Sequence, residues 1–445
     1  MPPHGRPRLD RIIVIGAGAA GLMAARELGR AGRHVTILEA RDRCGGRIHP
    51  LSSFGACSGR QTGSRFAGTC AGDFGYPAEG GAEFVHGEAP VTHGLLRAAG
   101  LSLLPIKGAR WTMRDGKFSR GDSRDAREAE LHQALQQLTH DLTVAEFLKQ
   151  RFAAPEYGEL RHSIERMVEG YDAADPERAS TLALRDEWMD GGRHTQARIA
   201  GGYAALVEFL TAECRNHGVA IHLGAAVSAI ESIDRGAVVR CANGDAHACD
   251  AVVLTVPLPL LKEIVLPPAE RERAAAAAQI GFGNVIKILL RFETPWWIEQ
   301  RTDLADLTFL ISEARIPVWW TQRPADLPVL TGWLGGPKTA AMSSLGEPEL
   351  IEAGLGSLAN IFGCEPEQLM RKLVAARAIN WAQDPLAGGA YSYAMPTTRA
   401  AQAVLSSNNG GAVFFSGEAL YRGKDMGTVE AALASGLETA RTLLG

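Results

Sequence analysis

Long apolar runs and basic clusters are the features that this sequence lacks most clearly. No stretch reaches the roughly 18 uninterrupted apolar residues of a membrane-spanning helix, so we expect no membrane protein. The formal net charge is −4 and no basic run occurs, which argues against nucleic acid as a partner. The remaining class is a globular protein with small-molecule partners.

Cysteine patterning is equally sparse. The seven cysteines include no CxxC pair, so they specify neither a zinc site nor a redox switch, and Cys57 and Cys70 receive no role. The first residues, MPPHGRPRLD, contain no apolar segment and no small-residue cleavage site, so we expect no signal peptide. Reduced thiols in a cytoplasmic protein are the simplest interpretation.

Glycine is abundant, with 50 of 445 residues, and three glycines define the most informative segment. A short apolar strand, Ile12 to Ile15, runs into G-x-G-x-x-G and then into a helical pattern. In a dinucleotide-binding unit, the first glycine makes the turn, the second lets backbone N–H groups reach a pyrophosphate, and the third lets the helix pack closely. The helix N-terminus adds a partial positive charge. The predicted phosphate-binding residues are therefore Gly16, Gly18, Ala19, Ala20 and Gly21.

A second apolar strand ends at Glu39, where a dinucleotide-binding unit carries the carboxylate that binds ribose hydroxyls. Glycines do not distinguish NAD from FAD, but the next residues do. Ala40 and Arg41 are followed by the turn Gly45-Gly46-Arg47, which resembles flavoprotein oxidoreductases, where this arginine contacts the FAD phosphates. Arg47 suits a charge-assisted bond to pyrophosphate. FAD is the predicted cofactor.

Two domains are expected from the length of 445 residues. Nucleotide-binding pieces occur at the start, middle and end of the chain, so they must fold together around the intervening segments. We predict an α/β protein with a Rossmann-like FAD-binding domain interleaved with an α+β substrate-binding domain. The FAD-binding domain would comprise 1–91, 201–275 and 385–445, and the substrate-binding domain a mainly helical part, 92–200, and a sheet part, 276–384.

Several elements are predicted within these parts. Thr143 and Glu146 fit a capping box before a helix, and Gly202 begins another helix. Ala220 to Val227 and Val285 to Phe292 have the pattern of strands.

The sequence resembles the flavin-containing amine oxidases, a family that includes monoamine oxidases, polyamine oxidases, lysine-specific histone demethylases and L-amino-acid oxidases. The resemblance covers essentially the whole chain, most closely in the FAD-binding half. Besides the fingerprint, it rests on EGGAEFVHG, IAGGYAALVEFL, GNVIKILLRFETPWW, WAQDPLAGGAYSY and FFSGEAL…GTVEAALASG, in the family's order.

The resemblance implies further contacts to FAD. The backbone of Val227 would contact adenine, and Glu418, beside Gly417, would bind the ribityl and pyrophosphate side. Val429 would offer its N–H near flavin O2 at the start of the last helix, where a dipole stabilises negative charge. The residues that would pass beneath the flavin ring are Gly81, Ala82 and Glu83.

Lys287 lies within the aliphatic run VIKILL, and an unpartnered buried ammonium is costly. Taken alone it would be an edge-strand lysine facing solvent. The resemblance implies instead that Lys287 holds a water against flavin N5 and assists reoxidation by oxygen.

The same resemblance implies that the stretch GGAYSY forms a wall of the site. Tyr391 corresponds to one wall of an aromatic cage and Trp381 to the indole beside the ring. Thr428 stands where monoamine oxidases have the second cage tyrosine, which leaves a half-cage. Ala390 replaces the cysteine through which monoamine oxidases attach FAD, so the FAD would be noncovalent.

The implied reaction is hydride transfer from the carbon next to a neutral amine to flavin N5. The imine hydrolyses to a carbonyl compound, and O2 reoxidises the flavin to give H2O2. His86 could bind or deprotonate an incoming ammonium, or be a structural histidine. Glu187 and Asp190 could attract a polyamine, or be a solvated surface.

Three functions stay open. The first is an amine oxidase acting on primary or secondary amines, with polyamines as one candidate. The second is an L-amino-acid oxidase or another FAD-dependent oxidase or desaturase, although no arginine stands out as a carboxylate clamp. The third is a noncatalytic FAD-binding partner protein, which would need neither Lys287 nor the aromatic wall. The sequence leaves open whether the protein is a monomer or a homodimer.

Overall fold

The structure, a computed structural model, describes residues 9–51, 74–121, 127–189, 196–408 and 410–445. Cys57, Cys70 and Asp190 lie outside these residues. The strands are β1 (Arg11–Ile15), β2 (His34–Leu38), β3 (Pro50–Leu51), β4 (Ala78–Glu79), β5 (Val85–His86), β6 (Leu103–Pro105), β7 (Ala109–Arg114), β8 (Lys117–Arg120), β9 (Gln196–Ile199), β10 (Ala220–His222), β11 (Val227–Ser232), β12 (Ala237–Cys241), β13 (Ala246–Cys249), β14 (Ala251–Leu254), β15 (Gly281–Gly283), β16 (Val285–Phe292), β17 (Leu307–Ser312), β18 (Val318–Thr321), β19 (Val329–Gly335), β20 (Leu373–Asn380), β21 (Tyr391–Tyr393) and β22 (Val413–Phe415). The α-helices are α1 (Ala19–Arg30), α2 (Pro90–Ala99), α3 (Glu128–Gln136), α4 (Val144–Arg151), α5 (Gly158–Gly170), α6 (Thr181–Met189), α7 (Gly202–Asn216), α8 (Pro268–Ala275), α9 (Trp296–Gln300), α10 (Glu347–Phe362), α11 (Pro366–Lys372), α12 (Thr398–Ser406) and α13 (Val429–Leu444).

A parallel sheet in the order β10-β2-β1-β14-β22 confirms the predicted α/β class. Its central strands are almost wholly buried, as continuous apolar strands must be when both faces of a sheet are covered. β2 lies on one side of β1 and β14 on the other, so the order of the strands reverses there. Ligands bind at such a point, outside the carboxyl ends of the strands.

Helices α1 and α13 pack against each other over this sheet, and glycines set how closely they approach. A Cβ at Gly21 would overlap the carbonyl oxygen of Gly16, so the third fingerprint glycine is needed where α1 leaves β1. A Cβ at Gly436, in α13, would overlap the carbonyl oxygen of Ala20. This packing brings the N-termini of both helices to the carboxyl end of β1.

A second sheet has seven strands in the order β20-β16-β19-β18-β17-β7-β8. β16 is central and buried along nearly its full length, as its run VIKILLRF requires. Lys287 in this strand pairs with Trp333 of β19 and Ile379 of β20. Helix α10 covers the sheet, with Gly354 close to Ile288.

The prediction of mainly helix over 92–200 is wrong between α2 and α3, where β6, β7 and β8 lie. β7 and β8 belong to the seven-stranded sheet, and β7 pairs in parallel with β17. In β7, Trp111 and Met113 alternate with more exposed residues, as in a strand. This alternation covers only a few residues and is flanked by charged residues, so it does not stand out in the sequence. Helices α3 to α6 follow, and the predicted capping box is confirmed: Thr143 Oγ1 accepts from Glu146 N at 3.2 Å, and Thr143 N donates to Glu146 Oε2 at 3.0 Å.

The strand predicted from Ala220 to Val227 is also wrong as a single element. β10 ends at His222 and adds to the parallel sheet, whereas β11 begins at Val227 in a separate antiparallel sheet, β11-β12-β13. Between them, Ala225 N donates to the carbonyl oxygen of Glu39 at 2.8 Å. The chain therefore passes the end of β2 before it turns into the second sheet.

Candidate active site

One cavity of about 1640 Å³ extends from the carboxyl end of β1 to the face of the seven-stranded sheet. Every residue that the sequence analysis placed in the site lines this cavity, with the exception of Gly21. Gly21 acts through the close packing of α1 on Gly16 instead. The cavity therefore joins the predicted cofactor-binding residues to the predicted reaction chamber.

The end of α1 that faces the cavity carries no side-chain cap. Its N-cap is Gly18, and the first helical bond runs from Leu22 N to Gly18 O at 2.9 Å. A Cβ at Gly18 would meet no protein atom within 4 Å, so packing does not require a glycine here. The absence of a side chain instead leaves open space in the cavity that Gly18 lines. First-turn N–H groups at such an end are free to bind an anionic group, as in phosphate-binding loops.

Glu39 is buried at the tip of β2 and oriented by two backbone donors. Ala17 N donates to its Oε2 at 2.6 Å, and Arg41 N donates to its Oε1 at 2.8 Å. An ionised carboxylate has about four acceptor positions, so capacity remains for two ribose hydroxyls. Arg41 itself forms an ion pair with Asp384 at 2.9 Å. Ala40, which lies between Glu39 and Arg41 in the sequence, also lines the cavity.

Arg47 and Glu418, both predicted to contact FAD, bind each other. Arg47 Nη1 donates to Glu418 Oε1 at 2.9 Å and to the carbonyl oxygen of Ala390 at 2.8 Å. Ser392 Oγ donates to Glu418 Oε2 at 2.6 Å. Because the pair neutralises a buried carboxylate beside the cavity, an anionic cofactor would meet no net repulsion there.

Four further predicted contacts lie on the same part of the lining. Val227 begins β11, and Gly417 is in a strained conformation, φ +149°, with open space where a side chain would be. Thr428 caps α13: its Oγ1 accepts from Ala431 N at 3.1 Å and donates to Asp425 O at 2.6 Å. Val429 is the first residue of that helix. Thr428 therefore anchors α13, and its hydroxyl is already engaged.

The turn after β4 passes directly beneath Trp381. A Cβ at Gly81 would overlap the carbonyl oxygen of Arg47 and lie 3.2 Å from the Trp381 ring, so only glycine fits. Ala82 follows on the lining. The next residue, Glu83, also lies on the lining, and its side chain is buried among charged partners.

Lys287 does not face solvent; it is 1% exposed and ion-paired. Its Nζ donates to Glu83 Oε2 at 2.8 Å and to Gly81 O at 3.0 Å. Arg198 Nη2 binds Glu83 Oε1 at 2.8 Å, and Trp320 Nε1 donates to the same oxygen at 3.0 Å. Burial alone would raise the pKa of Glu83, but Lys287 and Arg198 outweigh it and lower that pKa to about 2.

Tyr391 and Trp381, which the sequence predicted as parts of a wall of the site, both line the cavity. β21 pairs with β15, and Gly388 (φ +66°) and Gly389 (φ +145°) turn the chain into it, with Gly389 tight against Phe282. Tyr391 is half-buried, and its hydroxyl donates to Tyr171 O at 2.7 Å. Trp381 is buried.

His86 lies in the same chamber and is uncharged at neutral pH. Burial lowers its pKa to about 4. Its Nδ1 lies 3.1 Å from the Tyr171 hydroxyl and 3.4 Å from Gln196 Nε2. A neutral imidazole held in this way can exchange a hydrogen bond with a neutral amine without adding positive charge.

Acidic side chains lie near Tyr391. Burial, and then electrostatic interaction with Asp172, Tyr171 and Glu187, raises the pKa of Tyr391 well above its ordinary value. Glu187, which the sequence suggested as an acidic approach, lines the cavity together with Asp172, while Asp190 is outside the described residues.

Arginines on the cavity lining were not foreseen. Arg114 and Arg166 both line it, and both lie near Glu313: Arg114 Nε is 3.5 Å and Arg166 Nη1 3.9 Å from Glu313 Oε1. Sequence reasoning also missed Arg198 and Tyr171, because nothing local marks a residue whose partners are distant in the chain. Trp320 lines the cavity, whereas Trp296, Trp297 and Trp319 pack in the core of the seven-stranded sheet.

Together these features fit FAD. They provide an uncapped helix N-terminus, a ribose-binding carboxylate with spare acceptor capacity, a neutralised carboxylate and a glycine-lined floor in one cavity. The described residues contain no cluster of three or more His, Cys, Asp or Glu that could hold a metal ion.

Fold and site define a flavin-dependent oxidoreductase. A family model described as flavin containing amine oxidoreductase matches residues 19–444, so the chain belongs to that family and its cofactor is FAD. The predicted resemblance is thereby confirmed.

Known relatives are similar over nearly the whole chain. It is 27% identical over 517 residues to lysine-specific histone demethylase 1 homolog 3 of Arabidopsis thaliana, covering 97% of this chain and 30% of that protein. It is 25% identical over 468 residues to polyamine oxidase 4 of Oryza sativa subsp. japonica, covering 96% of this chain and 87% of that protein. The chain thus spans less than a third of the demethylase homolog and most of the polyamine oxidase.

Among solved structures, wild-type putrescine oxidase bound to putrescine matches with a TM-score of 0.79 and 21% identity, covering 98% of this chain and 99% of that one. At this identity the likeness establishes the fold alone. None of the helices in the described ranges is long and apolar enough to cross a membrane.

Proposed function

We propose that this protein is an FAD-dependent amine oxidase acting on primary or secondary amines, polyamines among them. The observation that carries the proposal is the single cavity that joins the dinucleotide fingerprint at β1 to a chamber containing Lys287, Trp381 and Tyr391. A noncatalytic FAD-binding protein has no use for a buried lysine and an aromatic wall at the far end of its cofactor cavity.

The overall reaction removes two electrons and two protons from an amine to give an imine, which water hydrolyses to a carbonyl compound and an amine or ammonia. O2 takes up the two electrons and two protons and leaves as H2O2. When bound, FAD supplies the hydride acceptor and the transfer of electrons to O2. The protein has to bind the amine, orient it and exclude water.

Side chains of the chamber suit these tasks. Tyr391 is held by its bond to Tyr171 O, and Trp381 packs beside it, so the two rings restrict how a substrate can lie. Phe84 and Trp320, with ring centroids 5.5 Å apart, extend the apolar lining. His86, neutral at pH 7, is suited to hold an amine in its reactive, unprotonated form.

Polyamines are supported as substrates by charge. Asp172 and Glu187 act on Tyr391 electrostatically, so a second ammonium group of the substrate would be stabilised on that side. The names of a polyamine oxidase and of a putrescine oxidase among the similar proteins agree with this assignment. A cytoplasmic location is proposed with it, supported by the free thiols of the described cysteines.

The test is anaerobic mixing of the purified yellow protein with polyamines, arylalkylamines and L-amino acids, with the visible absorbance of the flavin recorded. We expect a polyamine or another amine to bleach the flavin, and air to restore the colour with one H2O2 released per amine oxidised. Bleaching by amino acids alone would favour the second function, in which Arg114 or Arg166 would bind the substrate carboxylate. No bleaching by any amine would overturn the proposal.

A further inference from the structure

The carboxylate of Glu83 is saturated with donors. Its Oε1 accepts from Arg198 Nη2 at 2.8 Å, from Arg198 Nε at 3.2 Å and from Trp320 Nε1 at 3.0 Å, and its Oε2 accepts from Lys287 Nζ at 2.8 Å. These four bonds come from three different strands, β9, β18 and β16. The acceptor positions of a carboxylate so held are filled by protein donors, so its role is carried out through these partners.

Of the two cationic partners of Glu83, Lys287 is the one that lines the cavity. An ammonium has three N–H donors. Within the described residues it contacts two acceptors, Glu83 Oε2 and Gly81 O, and its Nζ lies 5.5 Å from the centroid of the Trp320 ring. One donor therefore remains for a molecule in the cavity that Lys287 lines.

Arg198 fixes the far side of Glu83. Its guanidinium lies 4.7 Å from the Phe84 ring centroid, and it donates to Thr321 O at 3.1 Å and to Arg323 O. Glu83 thus lies between two cations and is the only carboxylate bonded to either of them in the described part of the chain. Without it, two positive charges would remain in a buried cluster with no counterion.

We propose that Glu83 is a positioning residue: it holds Lys287 as a fixed ammonium with one N–H available to the cavity, and thereby sets the rate at which O2 reoxidises the flavin. The inference rests on the proposed function for the role of Lys287, and it adds a residue whose side chain the family resemblance leaves without a task. Arg198 and Trp320 keep Glu83 in place.

The first experiment compares Glu83→Gln with Glu79→Gln. Both replace a buried glutamate by an isosteric amide, but Glu79 has no ion-pair partner among the described residues and its burial raises its pKa to about 8. Only E83Q removes a negative charge at pH 7. Brief treatment with a small acylating reagent, followed by peptide mass spectrometry, reports whether Lys287 is a free amine, since an ion-paired ammonium does not react.

We expect Lys287 to be acylated at least about tenfold faster in E83Q than in the wild type or E79Q, because one partner of a buried pair has been removed. Equal acylation in all three proteins would overturn the inference.

The second experiment measures reoxidation directly. Each holoenzyme is photoreduced without amine and mixed with O2, so the result does not depend on any substrate. We expect E83Q to reoxidise roughly tenfold more slowly and E79Q to match the wild type, while reduction by the best amine changes less. Since E83Q acts through Lys287, adding it to Lys287→Met should cause no further loss. A further loss, or equal slowing of both half-reactions, would contradict a positioning role.

These outcomes separate the two proposals. If no amine bleaches the flavin, the proposed function fails, yet photoreduced enzyme still reports on Glu83. If E83Q is too unstable to purify, E83Q/K287M should recover FAD content, because it carries one uncompensated charge instead of two. Equal instability of the double variant would contradict the pairing.

Discussion

At the scale of single residues, two glutamates of one turn have opposite ionisation. Glu83 is surrounded by donors and its pKa falls to about 2. Glu79 is buried and accepts a hydrogen bond from Tyr203 N at 2.6 Å, while its Oε2 has no hydrogen-bond partner among the described residues, and burial raises its pKa to about 8. Position in the sequence does not determine this difference; the number of nearby donors and cations does.

Glu79 should make stability depend on pH. Its carboxyl has an ordinary value of 4.5 when unfolded and about 8 when folded, so between these values only the folded protein keeps the proton. Stability is then lost as pH rises, at roughly 1 kcal/mol per pH unit. We expect the melting temperature of E79Q to exceed that of the wild type by a margin that grows from pH 5 to pH 8. If the melting temperatures of the two proteins changed with pH in parallel, Glu79 would be ionised in the folded protein.

At the scale of elements, the crossing of α1 and α13 positions the cofactor end of the cavity. Gly436 touches the backbone of Ala20, which is itself on the lining, and Thr428 caps α13 at the same cavity. The distance between these helices therefore controls how both N-termini face a bound cofactor.

Gly436→Ala should separate the two helices. Because the added Cβ would overlap the carbonyl oxygen of Ala20, we expect a loss of about 1–3 kcal/mol and weaker FAD retention. Gly356→Ala in α10 is the matched control, since its Cβ would meet nothing within 4 Å, and it should be neutral or stabilising by up to about 1 kcal/mol. Melting temperature and FAD content after gel filtration measure both effects. Similar behaviour of the two variants would mean that the crossing tolerates a methyl group.

Elements of this fold can be predicted from the sequence where a short segment contains all the residues that specify the element. The fingerprint around Gly16 and the capping box at Thr143 are complete within a few residues, and both are present in the structure. Strand β7 was missed because its pairing with β17 is distant and its own pattern is short. The bond from Lys287 to Glu83 joins residues 204 positions apart, so no local pattern could predict that a buried lysine has its counterion there.

At the scale of the whole molecule, the described residues place no thiol in the cavity that could attach FAD. Ala390 offers a methyl group, its carbonyl oxygen is bound by Arg47, and none of the five described cysteines lines the cavity. We expect acid precipitation of the holoenzyme to leave a colourless pellet and all of the flavin in the supernatant, with free FAD added to apoprotein as the control. A yellow pellet would indicate a covalent bond.

The parallel sheet has one more consequence, for the time at which the cofactor can be acquired. In chain order, its edge strand β22, together with Glu418 and α13, comes long after β1 and β14. A nascent chain whose synthesis has not yet passed α13 lacks the residues that close the cavity around Arg47. Yellow colour in a translating culture should therefore appear only in chains whose synthesis has passed α13, which makes the flavin a reporter of how far synthesis has proceeded.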